Sequence, residues 1–593
     1  MRRRTIRRTC ITNAFPDRDN TINIKRLFPF LRWKHPTAIE LRCDAWAGLS
    51  VGLVLIPQAL AYATLAGMPP ETGLYAALLP SVVGMLWGSS ALLAVGPVAL
   101  TSILVFGSLS PMAVPGSALW VAMAIWLALY AGLMQFLLGA FRMGKITDLV
   151  SQPVVTGFIN AAAIIILLSQ LPSLFGIQFH PGTWLDGVAA PWALSPGWLL
   201  TSAFGVAALI LLLTIKRLAP HAPGMLVITV LGILGSWLLD YAGHGGAIVG
   251  KLPSGLPVLA LPPAIPFASH QELWPAALIL ALISFTEAMS SCRTLARKTN
   301  ERWDENQELI GQGLAKITSA FSGAFPVSGS FSRSALNLYA GATGPWSSLI
   351  AAACVLLSLY FLTPVIAFLP YSVLAAMIMV PVLNLLDIRA FGRLFRISRD
   401  DGVVALVTLV VTLVCSPRLH YGVFAGVGLT MVSFLYRRTH PRIIEVAPHE
   451  DGTLRDRSRF DLPPISTDVL TVRIDSAVNF LTASALDRFI TERRSADPAI
   501  RRILICASGI NDIDASGVDM LESLHKTLLG DGLELSLSAV KKQVSDVLER
   551  AGFLDRLGRD RVFATDAQAV ETLRWCTASA LMPNRPPKTR NTS

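Results

Sequence analysis

Two short segments of this chain carry the residue types a buried charge-handling site needs. The first is Leu93-Ala94-Val95-Gly96-Pro97-Val98-Ala99-Leu100-Thr101. The second is Phe325-Pro326-Val327-Ser328-Gly329-Ser330-Phe331-Ser332-Arg333-Ser334-Ala335-Leu336-Asn337. Each puts Gly, Pro or Ser inside an otherwise apolar run, where a helix must start partway through a membrane. A helix that begins there aims free N–H groups and its positive end at whatever lies in front of it, and the natural occupant is an anion. Arg333 stands just inside the second of these helices and would strengthen the field, unless it snorkels or pairs structurally. Ser328, Ser330, Ser332 and Ser334 offer hydroxyls close by; some must serve as helix caps, and Ser332 is the best candidate to meet a ligand.

Glu287 is the only carboxylate in the apolar segment 273–292. An intramembrane acid is costly and functional by default, and an apolar setting suits a group that carries a proton. Its bland alternative is a structural partner for a neighbouring helix or for Arg333. Gln58 and Tyr62 lie four apart, on one face of a helix, just after Pro57, where the chain is expected to break. They could line a polar site or glue helices together. Lys316 also falls in an apolar stretch and could simply sit near the outer surface. Gly139-Ala140-Phe141-Arg142-Met143-Gly144-Lys145 has the spacing of a phosphate loop, but Ile146 stands where magnesium would need Ser or Thr and no strand precedes it. No metal cluster and no Ser/His/Asp arrangement is apparent, so neither a metal, a cofactor nor an enzymatic activity is expected.

Composition says what positions these residues. Of 593 residues, 53% are hydrophobic and 15% charged, against roughly 25% charged in soluble domains. The net charge of +11 does not indicate nucleic acid, because the basic residues cluster at the ends of apolar runs. Seven Cys are scattered without a C-x-x-C pair, which indicates neither a disulfide framework nor zinc. Apolar segments lie near 45–66, 71–88, 95–109, 117–139, 146–168, 198–215 and 224–241, and again near 273–292, 306–325, 329–341, 344–362, 365–386, 401–416 and 421–436. That is about fourteen crossings, two of them too short to span alone. Alternate loops carry Arg142 and Lys145; Lys216 and Arg217; Arg293, Arg297, Lys298 and Arg302; Arg389, Arg393, Arg396 and Arg399; Arg437 and Arg438. The opposite loops are nearly free of Lys and Arg. The asymmetry places both termini in the cytoplasm.

An even total made of two odd halves requires the second half to be inverted, and the two interrupted segments are then the third of each half. This is the pattern of an inverted-repeat transporter with a site at the midplane. The basic segment 1–43 lacks an apolar core and reads as a cytoplasmic tail rather than a signal peptide. Residues 465–575 alternate polar and apolar, with strands at Val469–Ile474 and Ile503–Ala507 and helices at Leu486–Arg494, Gly517–Leu529 and Val544–Ala551, as in a small α/β domain. The tail 576–593 is expected to be disordered.

At this point the residues resemble a known family, the SulP-type anion permeases. Pro57-Gln58-Ala59-Leu60-Ala61-Tyr62-Ala63, followed by Gly67-Met68-Pro69-Pro70 and Gly73-Leu74-Tyr75, is similar to its first-span signature. Val95-Gly96-Pro97 resembles its third span. Asn306-Gln307-Glu308-Leu309-Ile310-Gly311-Gln312-Gly313 and Gly329-Ser330-Phe331-Ser332-Arg333-Ser334 resemble its ninth and tenth. The resemblance implies a polytopic α-helical membrane protein with a 7+7 inverted repeat, core and gate domains, in the span 44–437, followed by a cytoplasmic STAS domain. It implies an anion bound between the third and tenth helices by Gln58, Tyr62, Val98, Ala99, Phe331, Ser332 and Arg333, with Glu287 coupling transport to a cation, a proton more plausibly than sodium. It also implies a homodimer in the cell membrane. Asp512-Ile513-Asp514-Ala515-Ser516-Gly517 is similar to the loop that holds a phosphorylatable Ser in related STAS domains, making Ser516 a regulatory candidate unless it or Asp514 only caps the next helix. The expected function is secondary transport of an inorganic oxyanion, sulfate first, by proton symport. Bicarbonate or dicarboxylate transport, an anion channel and a membrane-embedded sensor are the alternatives.

Overall fold

The computed structural model describes residues 28–33, 35–145, 150–178, 193–194, 197–218, 223–253 and 255–580. These divide into two compact units, residues 1–430 and 431–593.

In the first unit every expected apolar segment contains a helix. They are α1 (Ala38–Leu65), α2 (Glu71–Trp87), β1 (Ala94–Gly96) leading into α3 (Ala99–Leu109), α4 (Ala118–Ala140), α5 (Gln152–Phe175), a small β2–β3 ribbon (Ile177–Gln178 and Ala193–Leu194), α6 (Trp198–Leu218) and α7 (Gly224–Leu238). Then follow α8 (Phe267–Thr299), α9 (Glu305–Phe321), β4 (Ser328–Ser330) leading into α10 (Phe331–Tyr339), α11 (Trp346–Leu357), α12 (Tyr371–Leu383), α13 (Arg399–Val414) and α14 (His420–Thr439). Among the described residues, seven helical stretches are long and apolar enough to cross a bilayer by themselves; α3 and α7 are shorter apolar helices. Helix α1 starts at Ala38, inside the segment 1–43 expected to be a tail, because Thr37 and Glu40 form a capping box. It also runs through Pro57 without breaking, which corrects the expectation above. The missing N–H is tolerable because the helix is buried throughout the stretch around Pro57, from Leu55 to Ala63.

The packing carries a two-fold pattern. α1 packs on α11, and α8 on α4; α1 on α10, and α8 on α3; α13 on α5, and α6 on α12. Exchanging the first seven helices for the second seven maps each pair onto the other. The pairs α2–α9, α5–α12 and β1–β4 map onto themselves. β1 and β4 run antiparallel, with Ala94 opposite Ser330 and Gly96 opposite Ser328, as an inverted repeat requires. The contacts also sort the helices: α1, α2 and α4 pack with α8, α9 and α11, and α5 and α6 with α12 and α13. This is the core and gate division that the sequence resemblance implied.

Small residues let the core helices close up. A Cβ at Gly313 of α9 would stand 2.5 Å from the Phe136 nitrogen and 2.7 Å from the Gly132 oxygen of α4. Gly313→Val must therefore push two helices apart. The expected loss is about 1–3 kcal/mol, read as a lower melting temperature of the purified protein.

The second unit is a six-stranded sheet flanked by helices. Its strands are β5 (Ile443–Pro448), β6 (Leu454–Asp456), β7 (Val469–Ile474), β8 (Arg502–Cys506), β9 (Glu534–Ser538) and β10 (Val562–Phe563), in the order β10-β9-β8-β7-β5-β6. Helices α15 (Ala483–Ala496), α16 (Ala515–Gly530), α17 (Lys542–Arg550), α18 (Phe553–Leu557) and α19 (Asp566–Ala580) connect or follow them. β7 to β10 are parallel and β5 is antiparallel to β7. The sheet thus begins before residue 465. β5 was not legible because it follows α14 after only three residues and shares its apolar character. Helix α19 extends to Ala580 rather than ending at 575; the remainder of the expected disordered tail, like residues 1–27, lies outside the described residues.

Candidate functional site

The centre of the first unit is the β1–β4 pair. Paired antiparallel Cα atoms are about 4.5–5.5 Å apart, so α3 and α10 start side by side and leave in opposite directions. Val98, the N-cap of α3, has extended backbone and gives no side-chain cap to Ala99, Leu100 or Thr101. α10 follows β4 directly. Ser330 caps it, its Oγ accepting from the Arg333 amide at 3.4 Å. The Ser330 and Ser332 hydroxyls are 3.3 Å apart.

Side chains of α10 grip the strand that feeds α3. Ser334 Oγ accepts from the Ala94 amide at 2.9 Å, and Asn337 Nδ2 donates to the Leu92 carbonyl at 3.3 Å. Ser81 of α2 donates to the Val95 carbonyl at 2.8 Å. Arg333 is 1% exposed and does not snorkel. Its Nη1 donates to the Pro97 carbonyl at 2.8 Å, while Nε and Nη2 are buried with no hydrogen-bond partner. A Cβ at Gly96 would come within 3.2 Å of Nη2. Gly96, at φ +154°, keeps both the backbone turn and the space for the guanidinium.

Glu287 sits on α8, three residues beyond Ser284 and so on the same face. The Ser284 carbonyl accepts from Ser328 Oγ of β4 at 2.8 Å, which aims that face at the strand pair. Glu287 Oε2 is buried with no partner. Arg333 and Lys316 both lie within electrostatic reach of Glu287, and Tyr62 within reach of Arg333 and Glu287. None of the Arg333 nitrogens hydrogen-bonds the Glu287 carboxylate, so the purely structural pairing considered above does not occur. Gln58 is buried, its Nε2 donating to Met225 Sδ of α7 at 3.1 Å and its Oε1 left without a partner. Val98 and Ala99 are buried; Phe331 is 51% exposed and Ser332 is exposed beside it. Val98, Ala99, Phe331, Ser332 and Arg333 thus lie at the ends of the β1–β4 pair, with Tyr62 and Glu287 within electrostatic reach of Arg333, whereas Gln58 makes its hydrogen bond to α7. Arg333 keeps unpartnered donors, and Gln58 and Glu287 unpartnered acceptors.

Lys316 lies fully buried on α9, not near a surface. Its Nζ donates to Gln135 Oε1 at 2.9 Å; Gln135 Nε2 donates to the Ala281 carbonyl at 2.6 Å and to Ser284 Oγ at 3.1 Å. A polar chain therefore runs from Lys316 through Gln135 and Ser284 to Ser328 on β4. Sequence reasoning passed over Gln135, Ser284 and Ser81, and named Ser334 only as one of four nearby hydroxyls. The signal was available for one of them, since Gln135 is the sole amide side chain in α4.

In the second unit Ser516 is exposed at the second position of α16 and faces a cavity of about 360 Å³ lined by Phe480, Asp487 and Met520. The cap of α16 is Asp514: Oδ1 accepts from the Gly517 amide at 2.8 Å and Oδ2 from the Phe480 amide at 3.1 Å. Asp514→Ala removes both bonds. It is expected to cost about 1–2 kcal/mol locally and to speed hydrogen exchange at the Phe480 and Gly517 amides in the full chain. Among the described residues no cluster of His, Cys, Asp and Glu is arranged to hold a metal ion.

The pattern of the Sulfate permease family matches residues 41–408, and that of the STAS domain residues 463–569. A Mycobacterium tuberculosis protein named Probable sulfate transporter is 32% identical over 539 residues, covering 90% of this chain and 95% of its own. The Arabidopsis thaliana protein named Probable sulfate transporter 4.2 is 31% identical over 577 residues, covering 92% and 84%. In structure, murine Solute Carrier 26 family member A9, an anion transporter in the inward-facing state, superposes with a TM-score of 0.85 at 21% identity over 95% of this chain and 96% of that one. The transmembrane domain of a cyanobacterial bicarbonate transporter superposes with a TM-score of 0.58 at 22% identity, over 66% of this chain and 99% of that one.

Proposed function

Because this chain belongs to the sulfate permease family and ends in a STAS domain, we propose that it carries sulfate across the cell membrane in symport with protons, by alternating access around the β1–β4 site. The observation that carries this reading is the buried Arg333 guanidinium, with two unpartnered nitrogens, set between two half-helix starts. An oxyanion satisfies all of these donors at once. The sulfate transporters named among its relatives support sulfate over other oxyanions.

Glu287 supplies the coupling. Of the ionisable groups around the strand pair, Arg333 and Lys316 are basic and Tyr62 is a phenol, so Glu287 is the carboxylic acid that adds negative charge when ionised. A proton on Glu287 removes that charge, so proton and anion bind with mutual advantage. Moving a divalent anion inward against the membrane potential costs about 4.6 kcal/mol per 100 mV, of which each co-transported proton offsets about 2.3 kcal/mol. In this reading α1–α4 and α8–α11 move as one body carrying the site past α5–α7 and α12–α14. The loop charges support cytoplasmic termini and a cytoplasmic STAS domain; the protein works as a homodimer.

The test is uptake of radiolabelled sulfate by purified protein in vesicles, with sodium and proton gradients imposed separately. Sulfate uptake driven by an inward proton gradient and indifferent to sodium is expected. Uptake of bicarbonate or succinate in place of sulfate would overturn the substrate assignment, and dependence on sodium would overturn the coupling.

A further inference from the structure

Lys316 is a cation that proton-coupled sulfate transport leaves without a task. It is fully buried on α9, so its ammonium does not reach water. Gly132 of α4 makes room for it: a Cβ there would stand 2.9 Å from the Lys316 Cβ. Its Nζ donates to Gln135 Oε1 at 2.9 Å, and Gln135 is neutral. One hydrogen bond to an amide does not compensate the burial of a full charge, and a neutral donor could make the same bond. The charge itself therefore has a counterpart to find.

The polar chain leads to it. Gln135 holds Ser284, which stands one turn before Glu287 on α8, and Lys316 and Glu287 lie within electrostatic reach of each other. Arg333 reaches the same carboxylate from α10. The ionisable side chains that face one another here are Glu287, Arg333, Lys316 and Tyr62, the last an uncharged phenol at neutral pH. With Glu287 protonated, Arg333 and Lys316 supply two formal positive charges, which a divalent anion cancels. Without the charge of Lys316 one remains, which a monovalent anion cancels. An uncancelled charge within a bilayer is costly, so the number of fixed cations selects the charge of the anion.

We propose that Lys316 is a specificity-determining residue, a second fixed positive charge that makes the site prefer divalent to monovalent anions without touching the anion itself. This deepens the transport reading and rests on it, since it takes the anion to lie at the β1–β4 pair. Lys316 belongs to α9, one of the helices that move with the site in that reading, so its charge accompanies the anion through the cycle.

The experiment is calorimetric titration of the purified full-length protein with sulfate, succinate and perchlorate. Perchlorate is tetrahedral like sulfate but carries one charge. The native protein is expected to prefer sulfate. Lys316→Gln keeps a donor for Gln135 and removes the charge; Lys316→Met removes both. Each is expected to lower the ratio of sulfate to perchlorate affinity by about tenfold or more, because the lost attraction is twice as large for a divalent anion. The ratio separates charge from packing, since a variant that is merely less well packed loses affinity for both anions alike. A ratio that neither variant changes, or that only Lys316→Met changes, overturns the proposal. If the native protein binds succinate in place of sulfate and both variants lower its preference over perchlorate, the sulfate assignment falls and the role of Lys316 stands. A native protein that prefers perchlorate to both divalent anions, or binds none of the three, overturns both.

Discussion

Arg333→Ala is expected to abolish sulfate binding and uptake. The guanidinium presents Nε and Nη2 without a partner at a place from which water is excluded. A charge-assisted hydrogen bond is worth about 1.5–3 kcal/mol, so losing two donors and their charge weakens binding by about 100-fold or more. Arg333→Lys keeps the charge but not the planar fork, and recovers little of the loss. Nη1 also holds the Pro97 carbonyl that precedes α3, so the loss has a second component, a less rigid β1. The two are separable. Equilibrium sulfate binding reports the donors, while the melting temperature without sulfate reports the strand. A variant that still binds sulfate with near-native affinity would show that the anion lies elsewhere.

Glu287→Gln is expected to separate coupling from binding. The amide keeps the shape of the side chain and lacks the negative charge, so it imitates the protonated acid at every pH. Uptake driven by a proton gradient should disappear, and sulfate binding should persist and lose its dependence on pH. The sign follows from the charges. With Glu287 present, acidification removes a negative charge near the anion and strengthens binding; in the amide variant there is none to remove. Acid-stimulated uptake that survives the substitution would exclude Glu287 as the proton carrier.

The fourteen segments were legible because apolar length is a strong signal, and the two half-helices because Gly96-Pro97 and Ser328-Gly329-Ser330 interrupt it. What those interruptions become was not legible. Each is a strand, and they pair with each other across more than two hundred residues of chain. A three-residue strand has too few positions for an alternating pattern, and its partner cannot be read locally. Tertiary packing likewise decided the course of α1 through Pro57, which local rules would break. Glu287 and Arg333 stood out as charges in apolar surroundings. Ser334 was visible in a cluster of four hydroxyls, but Ser81 and Ser284 were not, because single serines are common in membrane helices and acquire a role only when β1 and β4 meet beside them. Lys316 was visible as a charge, but only the contact with Gln135 shows which way it points. In the second unit β7 was read within its observed bounds, since a buried parallel strand is a continuous apolar run, whereas the edge strands β6 and β10 are too short to show one.

The most direct test of the anion site is a selenate soak, since selenate reproduces the charge and shape of sulfate and its selenium can be located by anomalous scattering. An anomalous peak is expected between the starts of α3 and α10, within hydrogen-bond reach of the Arg333 guanidinium and the Ala99 and Ser332 amides. A fully occupied peak elsewhere in the first unit, with that position empty, would contradict an anion site at the β1–β4 pair.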